Sequence, residues 1–552
     1  MHARMTSTLR IAFVTLAFIA PSILAQQRPP GVTVQDLRDG LKDPSRWLMY
    51  AGDYTGQRHS PLNQLTPANV SHLAVQWTFQ TDQYGLGRGI QSIPLALDGV
   101  LYFSGNNSHV YAIDPRSGRQ IWQYAREMPS DVTRATDRAV NRGLGVLGDK
   151  LFLGTLDAHV VALDIKTGKQ LWDTTVSDYH TGLTNTSAPL IVGKKLILGL
   201  SGGDRANRCF LDAYDTDTGK RLWRFFPTPD PGQPGSETWS NNAAAALGGA
   251  TWANGSYDPE SNLLYWGTGN PYGAEAARLG DNLYTASLVA LDADTGKLRW
   301  YYQVVPHDKH DYDAAVTPVL GDVTLDGAAR KVVLFAPKVG YLYVFDRATG
   351  KLLAAHPVAE TAQNWAREIS PDGHPVLVQE DGTQCLPDAH GATNFWPPSY
   401  DQSNGLFFLT VHETCTIYNF PARGAVSPAP GSWIVGGAGY AAVRAVDPVS
   451  GEQRWEFRYP PSDFGVTAVT GPRAGYGMGQ AGGLITTAGG LLFTGDNEGN
   501  FIALDERTGK PLWHFQTGAP VWGSAPMTYM LDGRQHVMVS SGLMLFDFAI
   551  TR

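Results

Sequence analysis

From about residue 70 onward the chain alternates short, strand-length apolar runs with polar turns, and the alternation repeats. An apolar run ends in Asp, a turn ends in Gly, and a Trp follows four residues later. The unit reads Asp114…Gly118…Trp122 and returns with the same spacing at Asp164…Gly168…Trp172, Asp215…Gly219…Trp223 and Asp292…Gly296…Trp300. A fifth copy, Asp346…Gly350…Ala354, has lost its Trp; Asp447…Gly451…Trp455 and Asp505…Gly509…Trp513 complete the series. Asp and Thr open such a turn, and Gly supplies its positive-φ position. In the last copy the flanking runs predict strands over 483–487, 491–494, 501–504 and 511–516. Four antiparallel strands per unit, repeated, predict an all-β fold, a β-propeller of W-shaped blades docked through Trp. An eighth blade is expected from 535–541 and 544–550, joined by 73–80 from the other end of the chain, because ring closure removes free edges. Eight blades is the expected count and seven the alternative.

The first residues change the picture at one end. Arg4 and Arg10 flank and precede an apolar stretch at 11–20, and Pro21-Ser22-Ile23-Leu24-Ala25 follows. That is a secretory signal ending near Ala25, too short to span a bilayer, which divides the chain into a signal peptide over 1–25 and one propeller domain over 26–552. No Cys follows the cleavage site, so no lipid anchor is expected there. Periplasmic localisation follows, with no transmembrane segment. The formal net charge of -8 becomes about -10 on cleavage, and no basic cluster points to nucleic acid. Of the three cysteines, Cys385 and Cys415 flank one long loop and are expected to pair, leaving Cys209 free. No Cys-x-x-Cys-His occurs, which excludes covalent haem in this chain. Extra length falls at 227–249, 273–283, 357–395 and 421–437. Such loops decorate one face of a propeller, where function sits.

The richest chemistry lies in Pro306-His307-Asp308-Lys309-His310-Asp311-Tyr312-Asp313-Ala314. Aromatic and apolar flanks suggest a loop turned inward, where a carboxylate needs a cation, a partner or a proton. Asp311 and Asp313 can reach one ion only if the backbone curls. The competing reading is a charged connecting loop.

In chain order, Val140-Asn141-Arg142-Gly143-Leu144, Gly202-Gly203-Asp204, Ser256-Tyr257-Asp258-Pro259, Tyr265-Trp266-Gly267-Thr268-Gly269-Asn270-Pro271, the 307–313 loop, Ala336-Pro337-Lys338, Asn394 with Pro397-x-Ser399-Tyr400, and Thr487-Ala488-Gly489-Gly490 accompany the repeats. With them the chain, from about Trp47 to its C-terminus, resembles the pyrroloquinoline quinone (PQQ) dependent alcohol dehydrogenases of the methanol/ethanol dehydrogenase type. The resemblance implies a cofactor on the propeller axis, stacked on Trp252 and surrounded by Gln91, Arg142, Ser187, Gly202, Gly203, Lys338 and Asn394. It implies a metal ion, Ca2+ or a lanthanide, held by Asp204, Asn270 and Asp311, with Asp311 also the catalytic base. Each residue has a plainer reading: Trp252 as core, Asn270 as a turn, Lys338 pointing outward, Arg142 paired with a nearby Asp.

Departures from the family pattern bear on the substrate side. Thr136 and Asp137 stand where relatives carry two adjacent cysteines, Gln91 replaces an acid, Asp204 a Glu, and Gln480-Ala481 a Trp. In the lanthanide-dependent relatives the position two after the catalytic Asp is Asp, as Asp313 is here, and three carboxylates suit a trivalent ion. The expected activity is oxidation of a small-molecule alcohol to an aldehyde or ketone, with electrons passed to a soluble c-type cytochrome. Side chains cannot accept hydride, so a cofactor is required. The alternatives are a quinoprotein of the sugar/aldose dehydrogenase branch and a non-catalytic envelope propeller scaffold.

Overall fold

A computed structural model describes residues 31–551 except 83–88, 133–139, 240–246, 274–278, 379–384, 419–432, 436–438 and 461–481, and except the side chains of 415 and 433–435. The expected signal segment, Thr136, Asp137, Gln480 and Ala481 lie outside the described residues.

Eight four-stranded antiparallel sheets form the ring. Blade 1 runs Leu95–Leu97, Val100–Ser104, Val110–Ile113 and Gln120–Tyr124, from the buried inner strand to the half-exposed outer one. Blades 2 to 7 repeat the plan, and each contains one copy of the Asp…Gly turn between its third and fourth strands. Blade 8 is built from both ends of the chain: Met527–Leu531, Arg534–Ser541 and Met544–Ile550 are completed by Leu73–Gln80 as the outer strand. The count of eight and the closure by 73–80 are as expected from the sequence; the inner strand Met527–Leu531 was not.

The repeat has a local cause and a packing cause. Locally, the Asp carboxylate caps its own turn: Asp164 Oδ1 accepts from the backbone N–H of Lys166 and Thr167 and from Thr167 Oγ1, and Asp215, Asp292 and Asp505 do the same. In packing, six of the seven repeat glycines lie under an indole of the preceding blade. A Cβ on Gly168 would stand 2.5 Å from Trp122, on Gly296 2.5 Å from Trp223, and on Gly509 2.4 Å from Trp455. In most blades the indole N–H then donates to the residue after the repeat's Asp, as Trp77 does to Pro115 O (2.7 Å), Trp122 to Ile165 O (3.1 Å) and Trp455 to Glu506 O (2.9 Å); Trp300 is the exception, its Nε1 unpartnered among the described residues. Where the fifth copy carries Ala354, His356 takes over, lying on Gly451 and bonding Val449 O at 3.0 Å.

These turns, with the hairpins joining first and second strands, occupy one end of the ring. The connections between blades and the loops between second and third strands occupy the other end. The strands that flank all four long insertions open onto that second end.

The N-terminal segment stitches the ring. His59–Ser60 pairs parallel with the inner strand of blade 7, and the wholly buried Arg58 donates to the carbonyls of Tyr50, Leu484 and Pro526. Cys209 is a buried free thiol. Leu386–Pro387 pairs antiparallel with the strand beginning at Cys415, with Pro387 opposite Cys415. No helix among the described residues is long and apolar enough to cross a membrane.

Candidate active site

At the loop end of the ring lies a cavity of about 200 Å3. Its walls come from successive blades. The connections between blades supply Arg142, Thr184, Thr186, Trp252, Asp311, Asp313, Asn394, Phe395, Trp396 and Trp522; the loops within blades 3, 4 and 5 supply Gly202, Gly203, Asp204, Asn270 and Lys338. Ten of the twelve sequence-predicted residues therefore meet in one place. Two do not line it. Ser187 is buried with its hydroxyl tied to the backbone of Gly199, and Gln91 is buried beside Gly523 with its Oε1 unpartnered.

The 306–314 loop does curl. Asp311 takes φ +66° and His307 φ +51°. Asp308 is buried and holds the curl, accepting from the backbone N–H of His310 (3.0 Å) and Tyr312 (2.9 Å). His310 stacks on Tyr312 at 5.0 Å, and Tyr312 donates to Pro387 O at 2.5 Å. Of the loop's three carboxylates and two imidazoles, three serve the loop itself: Asp308, His310 and His307, whose Nδ1 lies 2.6 Å from Gly280 O. Asp311 and Asp313 face the cavity.

Lys338 stands between those two. Its Nζ is 2.9 Å from Asp313 Oδ2, 2.8 Å from the Asp311 carbonyl and 3.4 Å from Asp311 Oδ1. Asp313 Oδ1 accepts from Asn270 N–H at 2.9 Å. This approach explains Gly269, since a Cβ there would lie 2.6 Å from Asp313 Oδ1. Burial pushes Asp311 well above the usual carboxylate range; Lys338 pulls it back, while Asp204, Asp313 and Asp308 add to the rise. Burial pushes the Lys338 ammonium down, but Asp311 and Asp313 outweigh burial and hold it above its ordinary value. The all-oxygen donor set of Asp204, Asn270, Asp311 and Asp313 fits a hard cation.

Aromatic rings line the same cavity. The Arg142 guanidinium sits 4.7 Å from the centroids of both Trp252 and Phe395, and its Nη1 donates to Thr186 Oγ1 at 2.8 Å. Phe395 meets Trp252 edge-on at 5.4 Å, and Trp396 and Trp522 complete the cluster. Asn394 bonds His390 O at 2.5 Å, fixing its amide in the same lining. The chemistry of these groups, an aromatic ring at Trp252 with the cations Arg142 and Lys338 in the same lining, suits a planar aromatic group with anionic substituents. The sequence reading missed Phe395, Trp396 and Trp522. Trp522, like Trp252, lies off the repeat's Trp spacing, and that signal marks both.

The fold is that of a quinoprotein. A family model described as "PQQ: Glucose/ethanol/alcohol dehydrogenase, beta-propeller domain" matches residues 47–364 and 430–537. A quinohemoprotein alcohol dehydrogenase, ADH-IIG, of Pseudomonas putida is 34% identical over 576 residues, covering 96% of this chain and 77% of that one. A lanthanide-dependent methanol dehydrogenase of Methylacidiphilum fumariolicum is 34% identical over 91% of this chain and 85% of its own. The solved structure of a europium-containing methanol dehydrogenase superposes with a TM-score of 0.83 at 29% identity, covering 93% of this chain and all of the other. The chain belongs to the PQQ-dependent alcohol dehydrogenase family, which has lanthanide-dependent members.

Proposed function

We propose that this protein is a periplasmic dehydrogenase that oxidises an alcohol to an aldehyde or ketone, with Asp311 as the base. The observation that carries the reading is the convergence of Asp204, Asn270, Asp311, Asp313 and Lys338 with Trp252 in one cavity. PQQ would lie on Trp252, with Arg142, Asn394 and Lys338 at its polar edge, and the cation would be held by Asp204, Asn270, Asp311 and Asp313. The chemistry supplied by the bound pair is hydride acceptance by a quinone whose carbonyl is polarised by a Lewis acid.

The chain's own residues do the rest. Asp311 receives the hydroxyl proton at its carboxylate, and a cation beside it would hold it ionised for that task. Lys338 fixes the Asp311 loop through that residue's carbonyl and carboxylate. Asn270 N–H orients Asp313. Phe395, Trp396 and Trp522 exclude water and present an apolar surface to the alcohol's carbon chain. Three carboxylates favour a trivalent ion, so our reading is a lanthanide site. The proposed electron acceptor is a soluble c-type cytochrome.

Reconstitution tests this. Metal-free protein is loaded with PQQ, titrated separately with La3+ and Ca2+, and assayed for dye reduction with a panel of alcohols. Activity with an alcohol and either ion supports the assignment, and stronger activation by La3+ supports the lanthanide. No dye reduction and no quinone absorption band would leave the non-catalytic scaffold as the better reading.

A further inference from the structure

On the end of the ring remote from the cavity, three chain segments bring His59, Asp401 and Glu506 together, with their candidate ligand atoms within 4.8 Å of one another. Trp396, a cavity residue, packs on His412 at 4.5 Å, and the strand Leu406–His412 runs from there toward Asp401. Seven residues of strand place the cluster roughly 20 Å from the cavity. His59 comes from the N-terminal strand, Asp401 ends the inner strand of blade 6, and Glu506 follows the third strand of blade 7.

The hydrogen bonds fix the histidine tautomer. Ser399 Oγ lies 2.9 Å from the Arg58 carbonyl and 3.1 Å from that of Gln57, which can only accept, so its single proton goes there. Thr486 Oγ1, 2.8 Å from Ser399 Oγ, must therefore donate to it. Having spent its proton, Thr486 Oγ1 accepts from His59 Nδ1–H at 2.8 Å. His59 Nε2 thus presents a lone pair, 3.7 Å from Asp401 Oδ1 and beyond hydrogen-bond reach of it. Glu506 is 2% exposed and Asp401 5%, and among the described residues no Lys or Arg lies within ion-pair distance of either. The cluster is a set of electron-pair donors with no electrophile supplied by the chain.

The geometry points to a divalent cation of the zinc class held by His59 Nε2, Asp401 and Glu506, a second metal site distinct from the cavity and belonging to the scaffold. One imidazole and two carboxylates, with solvent as fourth ligand, suit Zn2+. Ligand atoms on a tetrahedral zinc lie about 3.4 Å apart, so the 3.7 Å separation closes by a few tenths of an ångström. Each ligand is already oriented by an outer partner: Thr486 on His59, Ser403 N–H on Asp401 at 2.8 Å, and Asn404 Nδ2 on Glu506 at 2.9 Å. The competing occupant is a proton, since burial and the facing Asp401 push Glu506 up to about 8. A cation here would tie the N-terminal strand to blades 6 and 7.

The test uses holoenzyme, its cavity filled with PQQ and its own ion, after phenanthroline has removed adventitious zinc. Zn2+ is titrated calorimetrically, and Co2+ by its visible ligand-field bands. One equivalent should bind saturably, and the unfolding midpoint should rise by ~2 °C or more at saturation. Both effects should vanish in Glu506→Gln and weaken at least tenfold in His59→Gln, with dye reduction unchanged. No saturable binding to the wild type, or binding of equal strength in both variants, would overturn the site and leave a shared proton as its occupant.

Discussion

The glycine under each docked indole can be tested by one substitution and two controls. In Gly296→Ala the new Cβ would stand 2.5 Å from Trp223 Cε3 and 2.6 Å from Cδ2, at a backbone φ of +69°. The left-handed backbone costs an alanine about 1–2 kcal/mol, and displacing a packed ring about 1–3 kcal/mol more, so the expected loss is about 2–5 kcal/mol. Gly327→Ala isolates the first contribution, because Gly327 has φ +76° and a Cβ there would meet nothing within 4 Å. It should cost only ~1–2 kcal/mol. Trp223→Ala should itself cost ~3–5 kcal/mol, including the 3.3 Å bond from its Nε1 to Ala293 O. With that ring gone, Gly296→Ala should fall to the cost of Gly327→Ala, a coupling of about 1–3 kcal/mol between the two positions. Urea unfolding followed by circular dichroism measures all four. Equal losses for Gly296→Ala and Gly327→Ala, or a Gly296→Ala loss that persists without the indole, would refute docking as the reason for the glycine.

Asp311→Ala should abolish alcohol-dependent dye reduction with the circular dichroism spectrum unchanged; turnover above roughly a tenth of wild type contradicts its role as base, since losing a positioned base costs about 10²-fold or more. Asp313→Ala should shift activation from La3+ toward Ca2+ in reconstituted protein, and an unchanged preference would sink the lanthanide reading. A Cys385–Cys415 disulfide should leave a single alkylatable thiol, that of Cys209, in denatured non-reduced protein, and its loss should cost about 3 kcal/mol for a loop of ~30 residues; three labelled thiols would exclude it. Burial pushes Asp157 up, but hydrogen bonds from Arg126 and Thr155 outweigh it and hold the carboxyl below its usual range. A depressed carboxyl stabilises the fold above its unfolded pKa and loses that contribution as pH falls through the folded one. The stability gap between wild type and Asp157→Asn should therefore narrow below about pH 4, and a gap independent of pH would contradict the pairing.

The ring was legible because each blade restates the same local problem: Asp to cap a turn, Gly to pass under an indole, Trp to dock. His356 shows the limit, since the residue replacing the missing indole sits two positions beyond Ala354 and only the packing reveals it. The cavity was legible where a short motif fixes backbone as well as side chain, as Gly269 and Asn270 do for Asp313. It was not legible where blade geometry alone sets neighbours. Trp522 and Phe395 come from connections that follow different blades, and only the ring brings them to Trp252. Ser187 shows the converse: it lies beside the cavity in sequence, next to Thr186, but the alternation of side chains turns it into the blade.

The mixed parentage of blade 8 has a consequence for biosynthesis. The strand Leu73–Gln80 is among the first parts of the ring to leave a ribosome, and its partner Met544–Ile550 is the last. Until 544–550 emerges, Trp77 can dock on blade 1 but the strand 73–80 has no strand to pair with, and entropy opposes bridging so long a gap. The nascent molecule therefore travels as an open arc with one sticky lip. That lip is where a holdase would bind, where premature termination would be most damaging, and where two unfinished copies could exchange ends.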